Sequence, residues 1–111
     1  MGGFVKGDIV VLPFPFSDLT QAKRRPALVV ASAGGDDLIL CQMTSQANRD
    51  RYAILIGPAD LASGTLNQPG YVRPNRLFTA DKQIILYRIG SLNAQKLIAI
   101  VDAIVAVLRA P

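Results

Sequence analysis

The stretch that most restricts the fold is KGDIVVLPFPFSDLTQAKRRPALVV, running from Lys6 to Val30. Two β-rich apolar runs are separated by a Pro-Phe-Pro-Phe corner and an exposed polar loop, Ser17 to Lys23. Proline cannot donate to a strand ladder, so Pro13 and Pro15 must end or edge the first run, Asp8 to Phe14. The second run, Ala27 to Ala33, stops at Gly34-Gly35-Asp36-Asp37, which is a hairpin signal, and Leu38 to Met43 follows as the returning strand. Strands this short and turned this sharply point to a small, strongly bent antiparallel sheet.

The remainder continues the pattern and then breaks it. Tyr52 to Ile56 reads as another short strand, stopped by Gly57-Pro58. Ala59 to Gly70 holds turn residues with room for one short helical turn. Tyr71 to Thr79 is ambiguous, because Pro74 argues against a central strand position. Ile84 to Ile89 reads as the last strand. Beyond it, Asn93 is a good helix N-cap, and Leu97, Ile100 or Val101, Ile104 and Leu108 recur at helical spacing. This predicts a helix of about sixteen residues, roughly 24 Å long. Ile98, Val105 and Val107 widen its apolar arc, which is expected to pack across a broad sheet rather than cover a dimer seam. Five or six strands followed by one helix make a mainly β fold, an SH3-like barrel with a C-terminal helix.

The chain has 111 residues, half of them apolar and 18% charged, which fits one domain spanning 1–111 with a single core. No secretory apolar segment, transmembrane span or repeat occurs, and the cytoplasm is the expected compartment. The lone Cys41 lies in an apolar run with no thiol partner, so it reads as buried and inert. There is no histidine, which rules out a Ser-His-Asp triad. No phosphate-binding glycine loop and no Cys/His metal pattern occurs, and Asp36-Asp37 reads as turn chemistry, so no metal and no cofactor are expected.

Charge indicates the partner. Twelve Lys and Arg face eight Asp, with no Glu, and eight of the twelve cations are arginine. The guanidinium fork matches phosphate oxygens and stacks on bases, so the bias favours nucleic acid over an ordinary basic surface. Two positions sharpen this. With a turn at residues 34–37, Arg25 at the start of one strand and Thr44 or Ser45 at the end of the next fall at the same open end. Strand neighbours face opposite sides, so one of Arg24 and Arg25 must point into that end. An arginine with a hydroxyl there can hold a phosphate. Equally, Arg25 could pair with Asp18 or a backbone carbonyl, leaving Thr44 an ordinary strand residue.

Gly7-Asp8, then Arg25-Pro26 before an aliphatic strand, then Thr44-x-Gln46, then a Gly-x-Leu segment and a terminal helix resemble the MazF/PemK family of toxins over essentially the whole chain. The resemblance implies a CcdB/MazF-type barrel, usually a homodimer, that cleaves single-stranded RNA without a metal and is held by a cognate antitoxin protein. Arg25 and Thr44 match the family's catalytic arginine and threonine. Active members often carry Glu-Gln in the first loop, where this chain has Thr20-Gln21, leaving Asp18 as the nearest substitute acid or base. Arg24, Gln21, Ser45, Gln46, Arg49, Arg51, Arg73, Arg76 and Phe16 are the expected RNA-binding residues, with Arg49, Arg51, Arg73 and Arg76 lining the groove. Phe14 and Tyr71 are further stacking candidates, Phe14 reading better as corner packing. Two other functions fit the same residues: a non-catalytic RNA-binding barrel, and a same-fold toxin acting on a protein such as DNA gyrase.

Overall fold

The protein's structure, a computed structural model, describes residues 3–15, 22–46 and 50–111. Strands β1 (Asp8–Pro15) and β2 (Ala22–Gly34) pair antiparallel, with Leu12 facing Arg25 and Pro13 facing Arg24. Strand β2 turns at Gly35 and Asp36 into β3 (Asp37–Thr44), as the Gly-Asp cluster predicts. Gly34 and Gly35 adopt φ of 97° and 57°, conformations that glycine reaches without steric cost. Then come β4 (Ile54–Ile56), β5 (Leu61–Gly64), β6 (Gly70–Asp81), β7 (Tyr87–Leu92) and helix α1 (Ala94–Arg109). The seven strands form one curled antiparallel sheet in the order β4-β6-β3-β2-β1-β7-β5. The mainly β barrel with a C-terminal helix is therefore the fold the sequence predicts.

Three strand readings are corrected. The segment containing Pro74 is an interior strand, β6, paired with β3 on one side and β4 on the other. Proline is tolerated because the ladder breaks there: Cys41 faces Leu77 and Met43 faces Val72, so residues 73–76 bulge opposite Gln42. The Cys41 thiol donates to the Arg73 carbonyl across that bulge (2.9 Å). The last strand begins at Tyr87 rather than Ile84, because Lys82–Ile84 forms a 3-10 turn capped by the Asp81 carboxylate. Strand β5 lies where only a helical turn was expected; that turn is the 3-10 segment Pro58–Asp60 just before it.

The continuous apolar runs are explained by burial on both sheet faces. One cluster joins Ile9, Leu28, Cys41, Met43, Ile56 and Val72 to Ile100 and Ile104 of α1. The other joins Val10, Leu12, Val29, Leu40 and Ile85. Alternate residues of β1 thus feed different clusters. The buried Cys41 thiol is pushed up to about 12 by loss of solvent.

Asn93 caps α1 as predicted, its side chain accepting from the Lys96 N–H (2.8 Å). The broad packing expected of the helix does not occur. Only Ile100 and Ile104 are buried, while Ile98 and Leu108 are 61% and 69% exposed. At 100° per residue, Ile98 and Val105 fall on the stripe opposite Ile100, and Leu108 lies in the final turn.

Gly7-Asp8 has a structural role. Gly7 takes φ of 99°, and a side chain there would press Leu97. The buried Asp8 carboxylate accepts from the Val5 N–H (2.9 Å) and faces Arg88 (3.7 Å). These contacts tie the N-terminal turn to β7 and α1.

Candidate functional site

The β2–β3 register sets Ala27 opposite Gln42, so the next residues along both strands bring Arg25 beside Thr44. Both border an open cleft of about 400 Å³, together with Arg24, Pro26, Met43 and Ser45. Strand alternation was expected to admit only one of the two arginines. Both line the cleft, because it opens across the strand end, where a long arginine stem reaches around the rim. Arg24 is exposed and Arg25 half-buried.

Thr44 is held in its own turn. Its Oγ1 accepts from the Gln46 N–H (3.2 Å) and donates to the Gln46 carbonyl (3.0 Å). The hydroxyl therefore has a fixed position at the cleft mouth, and its proton can be redirected by rotation about one bond.

The rest of the lining is a part of the cleft that sequence reasoning missed. It consists of the β5–β6 connection Thr65–Pro69, with Tyr87 and Ile89 of β7. The β5–β7 pairing brings these distant positions together, with Gly64 facing Gly90. A run of uncharged turn residues, TLNQP, was the available signal. Among the described lining residues, Arg24 and Arg25 carry the only charges, so the site is positive and suited to an anion.

Arg51, Arg73 and Arg76 do not line this cleft. Arg73 is committed to Asp50, Nε to Oδ2 at 2.7 Å. Burial pushes the Asp50 carboxyl up, but the Arg73 hydrogen bond, the Tyr52 N–H and the charges of Arg73 and Arg76 outweigh it, leaving the group below its usual range. Arg51 lies over the Tyr52 ring, 5.0 Å from its centroid, and donates to the Tyr52 hydroxyl. Arg76 is exposed in the β6 bulge, and Gln46 follows Ser45 at the cleft's edge. Tyr71 pairs with Thr44 in the ladder, and Phe14 packs against Phe78 with centroids 5.0 Å apart. Phe16, Asp18, Gln21 and Arg49 lie outside the described residues.

A curled antiparallel sheet with one helix and an arginine-lined end defines a small SH3-like barrel of the CcdB/MazF/PemK kind. Residues 5–108 match the profile of the PemK-like, MazF-like toxins of type II toxin–antitoxin systems, and the chain belongs to that family. The chain is similar in fold to a mycobacterial endoribonuclease solved with its cognate antitoxin (TM-score 0.76, 17% identity, 98% of each chain covered). It is similar also to the Mycobacterium tuberculosis toxin MazF-mt6 (TM-score 0.69, 19% identity, 94% of this chain and 98% of that one). MazF in the MazE–MazF complex of Deinococcus radiodurans gives a TM-score of 0.71 at 22% identity, with 95% of each chain covered. No curated protein matches the chain by sequence. Among the described residues, no helix is long and apolar enough to cross a membrane.

Proposed function

We propose that this toxin is an endoribonuclease that cleaves single-stranded RNA without a metal, acts as a homodimer in the cytoplasm, and is inhibited by a cognate antitoxin protein. The observation that carries the reading is the convergence of Arg25 and Thr44, from adjacent strands, on one cation-lined cleft. The endoribonuclease and antitoxin complexes among the structural relatives support it.

The chemistry asks for what this cleft offers. The ribose 2′-oxygen attacks the adjacent phosphorus, the bond from phosphorus to the 5′-oxygen breaks, and the proton lost by the 2′-hydroxyl ends on that leaving oxygen. The products are a 2′,3′-cyclic phosphate and a 5′-hydroxyl end. The substrate thus supplies its own nucleophile, and DNA resists because it lacks the 2′-hydroxyl. The protein must hold the phosphate and stabilise the charge that builds on its equatorial oxygens. Arg25 does so with its donor fork, with Arg24 beside it. Thr44 turns its proton from the Gln46 carbonyl to a phosphoryl oxygen while still accepting from the Gln46 N–H. An arginine holds its proton too tightly at neutral pH to shuttle it. Asp18 is the proposed acid or base. Gln21, Ser45, Gln46, Arg49, Arg51, Arg73, Arg76 and Phe16 are proposed to carry the strand beyond the reacting phosphate.

The test is incubation of purified, antitoxin-free protein with a long single-stranded RNA in EDTA, beside Arg25→Ala. Discrete fragments with cyclic-phosphate ends, lost in the variant, are expected. Intact RNA in both lanes would overturn the reading in favour of a toxin that binds RNA or a protein without cutting.

A further inference from the structure

The rest of the cleft lining differs chemically from the arginines. The connection Thr65–Pro69 carries no charge, and Leu66 packs into the core beneath it, fixing the loop from below. Asn67 and Gln68 are left exposed on the cleft, and no hydrogen bond to another described residue occupies either side-chain amide. Beside them Tyr87 is 50% exposed. Along β7, Tyr87 and Ile89 border the cleft, while Arg88 between them faces the buried Asp8. The lining therefore offers an exposed aromatic side chain and two uncommitted amides in the same cleft as two guanidinium groups.

We infer that this part of the lining seats one unpaired base of the RNA strand. Tyr87 supplies the stacking face, and Asn67 and Gln68 read the base edge, while the neighbouring phosphate lies against Arg25. The inference rests on the cleft being the RNA-cleavage site and extends it to the choice of base beside the cut. Stacking on Tyr87 accepts any base, since every base has a π face, so identity has to come from hydrogen bonds. An amide presents both donors and an acceptor, the complement that a base edge requires. A cleft of about 400 Å³ falls within the range that holds a small ligand. An acidic peptide would use the arginines equally well but has no need of an exposed ring flanked by amides.

Tyr87→Ala, Tyr87→Phe and the double variant Asn67→Ala/Gln68→Ala separate these roles, each first shown to melt as wild type does. One readout is fluorescence-anisotropy binding of a 2′-O-methyl oligonucleotide, which the proposed reaction cannot cut. The other is the distribution of cut sites in an RNA pool of random sequence. Tyr87→Ala is expected to weaken binding roughly five- to hundredfold and Tyr87→Phe by less than about threefold, because the stacking face remains. Among the cuts it still makes, the double variant is expected to lose base preference at one position beside the cut. Equal binding by wild type and Tyr87→Ala, or an unchanged base preference in the double variant, would overturn the inference. A wild type that binds the oligonucleotide in a Tyr87-dependent way but cuts nothing would refute the nuclease reading and leave the base seat standing.

Discussion

Gly64 of β5 and Gly90 of β7 face each other with no room for a side chain on either. A Cβ on Gly64 would fall on the Ile89 carbonyl oxygen and the Gly90 Cα, and one on Gly90 would fall on the Ser63 carbonyl oxygen. Gly64 also takes φ of 81°, a left-handed conformation that costs any other residue energy. This contact holds the β5–β6 connection against β7 and so sets the width of the cleft. Gly64→Ala and Gly90→Ala are each expected to destabilise the fold by at least about 1–3 kcal/mol, the usual cost of forcing extra atoms into packed structure. Gly57→Ala, where a Cβ meets only open space, should leave stability nearly unchanged. Urea unfolding of the three variants measures the contrast.

Thr44 should divide its two hydrogen bonds cleanly. Thr44→Ser keeps the hydroxyl and its clasp on Gln46, so most cleavage activity is expected to survive. Thr44→Val keeps the shape and loses both, with an expected fall of roughly ten- to a hundredfold. Arg25→Ala should cost more, about two to three powers of ten, as for loss of a preorganised charge-stabilising donor. Initial rates on a short fluorogenic RNA rank the three.

The Asp50–Arg73 contact predicts a pH signature. Asp50 lies below its ordinary value of 3.8 in the folded chain, so its ionised form favours folding. That stability is fully present above the unfolded value and is lost as pH falls through the lower folded one. Asp50→Asn should therefore cost on the order of 1 kcal/mol at neutral pH and progressively less below pH 4, until the two proteins melt alike. Thermal melts from pH 7 to pH 2 check the convergence. Wild-type and variant curves that stay parallel would show that the pair contributes nothing.

Two apolar residues of one helix should behave oppositely. Ile100 is fully buried between α1 and the sheet, and Ile100→Ala is expected to cost about 2–5 kcal/mol. Leu108, with more than two thirds of its surface open to solvent, should tolerate alanine within about 0.5 kcal/mol in the monomer. Paired chemical denaturation decides between them.

The parts of this architecture visible in the sequence are those set by neighbouring residues. The β2–β3 hairpin announces itself because an apolar run, a Gly-Asp turn and a second apolar run are contiguous, and its register alone brings Arg25 to Thr44. Asn93 is legible because a cap acts on a residue three positions away. Strand β6 is obscured because proline is read as a breaker until the bulge opposite Gln42 is known. Strand β5 is obscured because Leu61–Gly64 has no strong strand pattern and pairs only on its β7 side. The rest of the cleft lining was hidden for the same reason, since nothing local links Asn67 to Tyr87. The helix face was overread because helical spacing tells which residues share a stripe, not which stripes the sheet covers.

The strand order has a consequence for when the molecule can act. Strand β7 pairs with β1, the last strand with the first, and the cleft lining draws on both early strands and β7. A chain emerging from the ribosome can form the β1–β2–β3 meander early, with Arg25 and Thr44 already adjacent. It cannot close the cleft until Tyr87–Leu92 has been synthesised and has travelled back to the first strand. Such long-range pairing is slow to form compared with a hairpin. For a toxin that cuts RNA through this cleft, as proposed, completion of translation is thus a built-in delay before it can act.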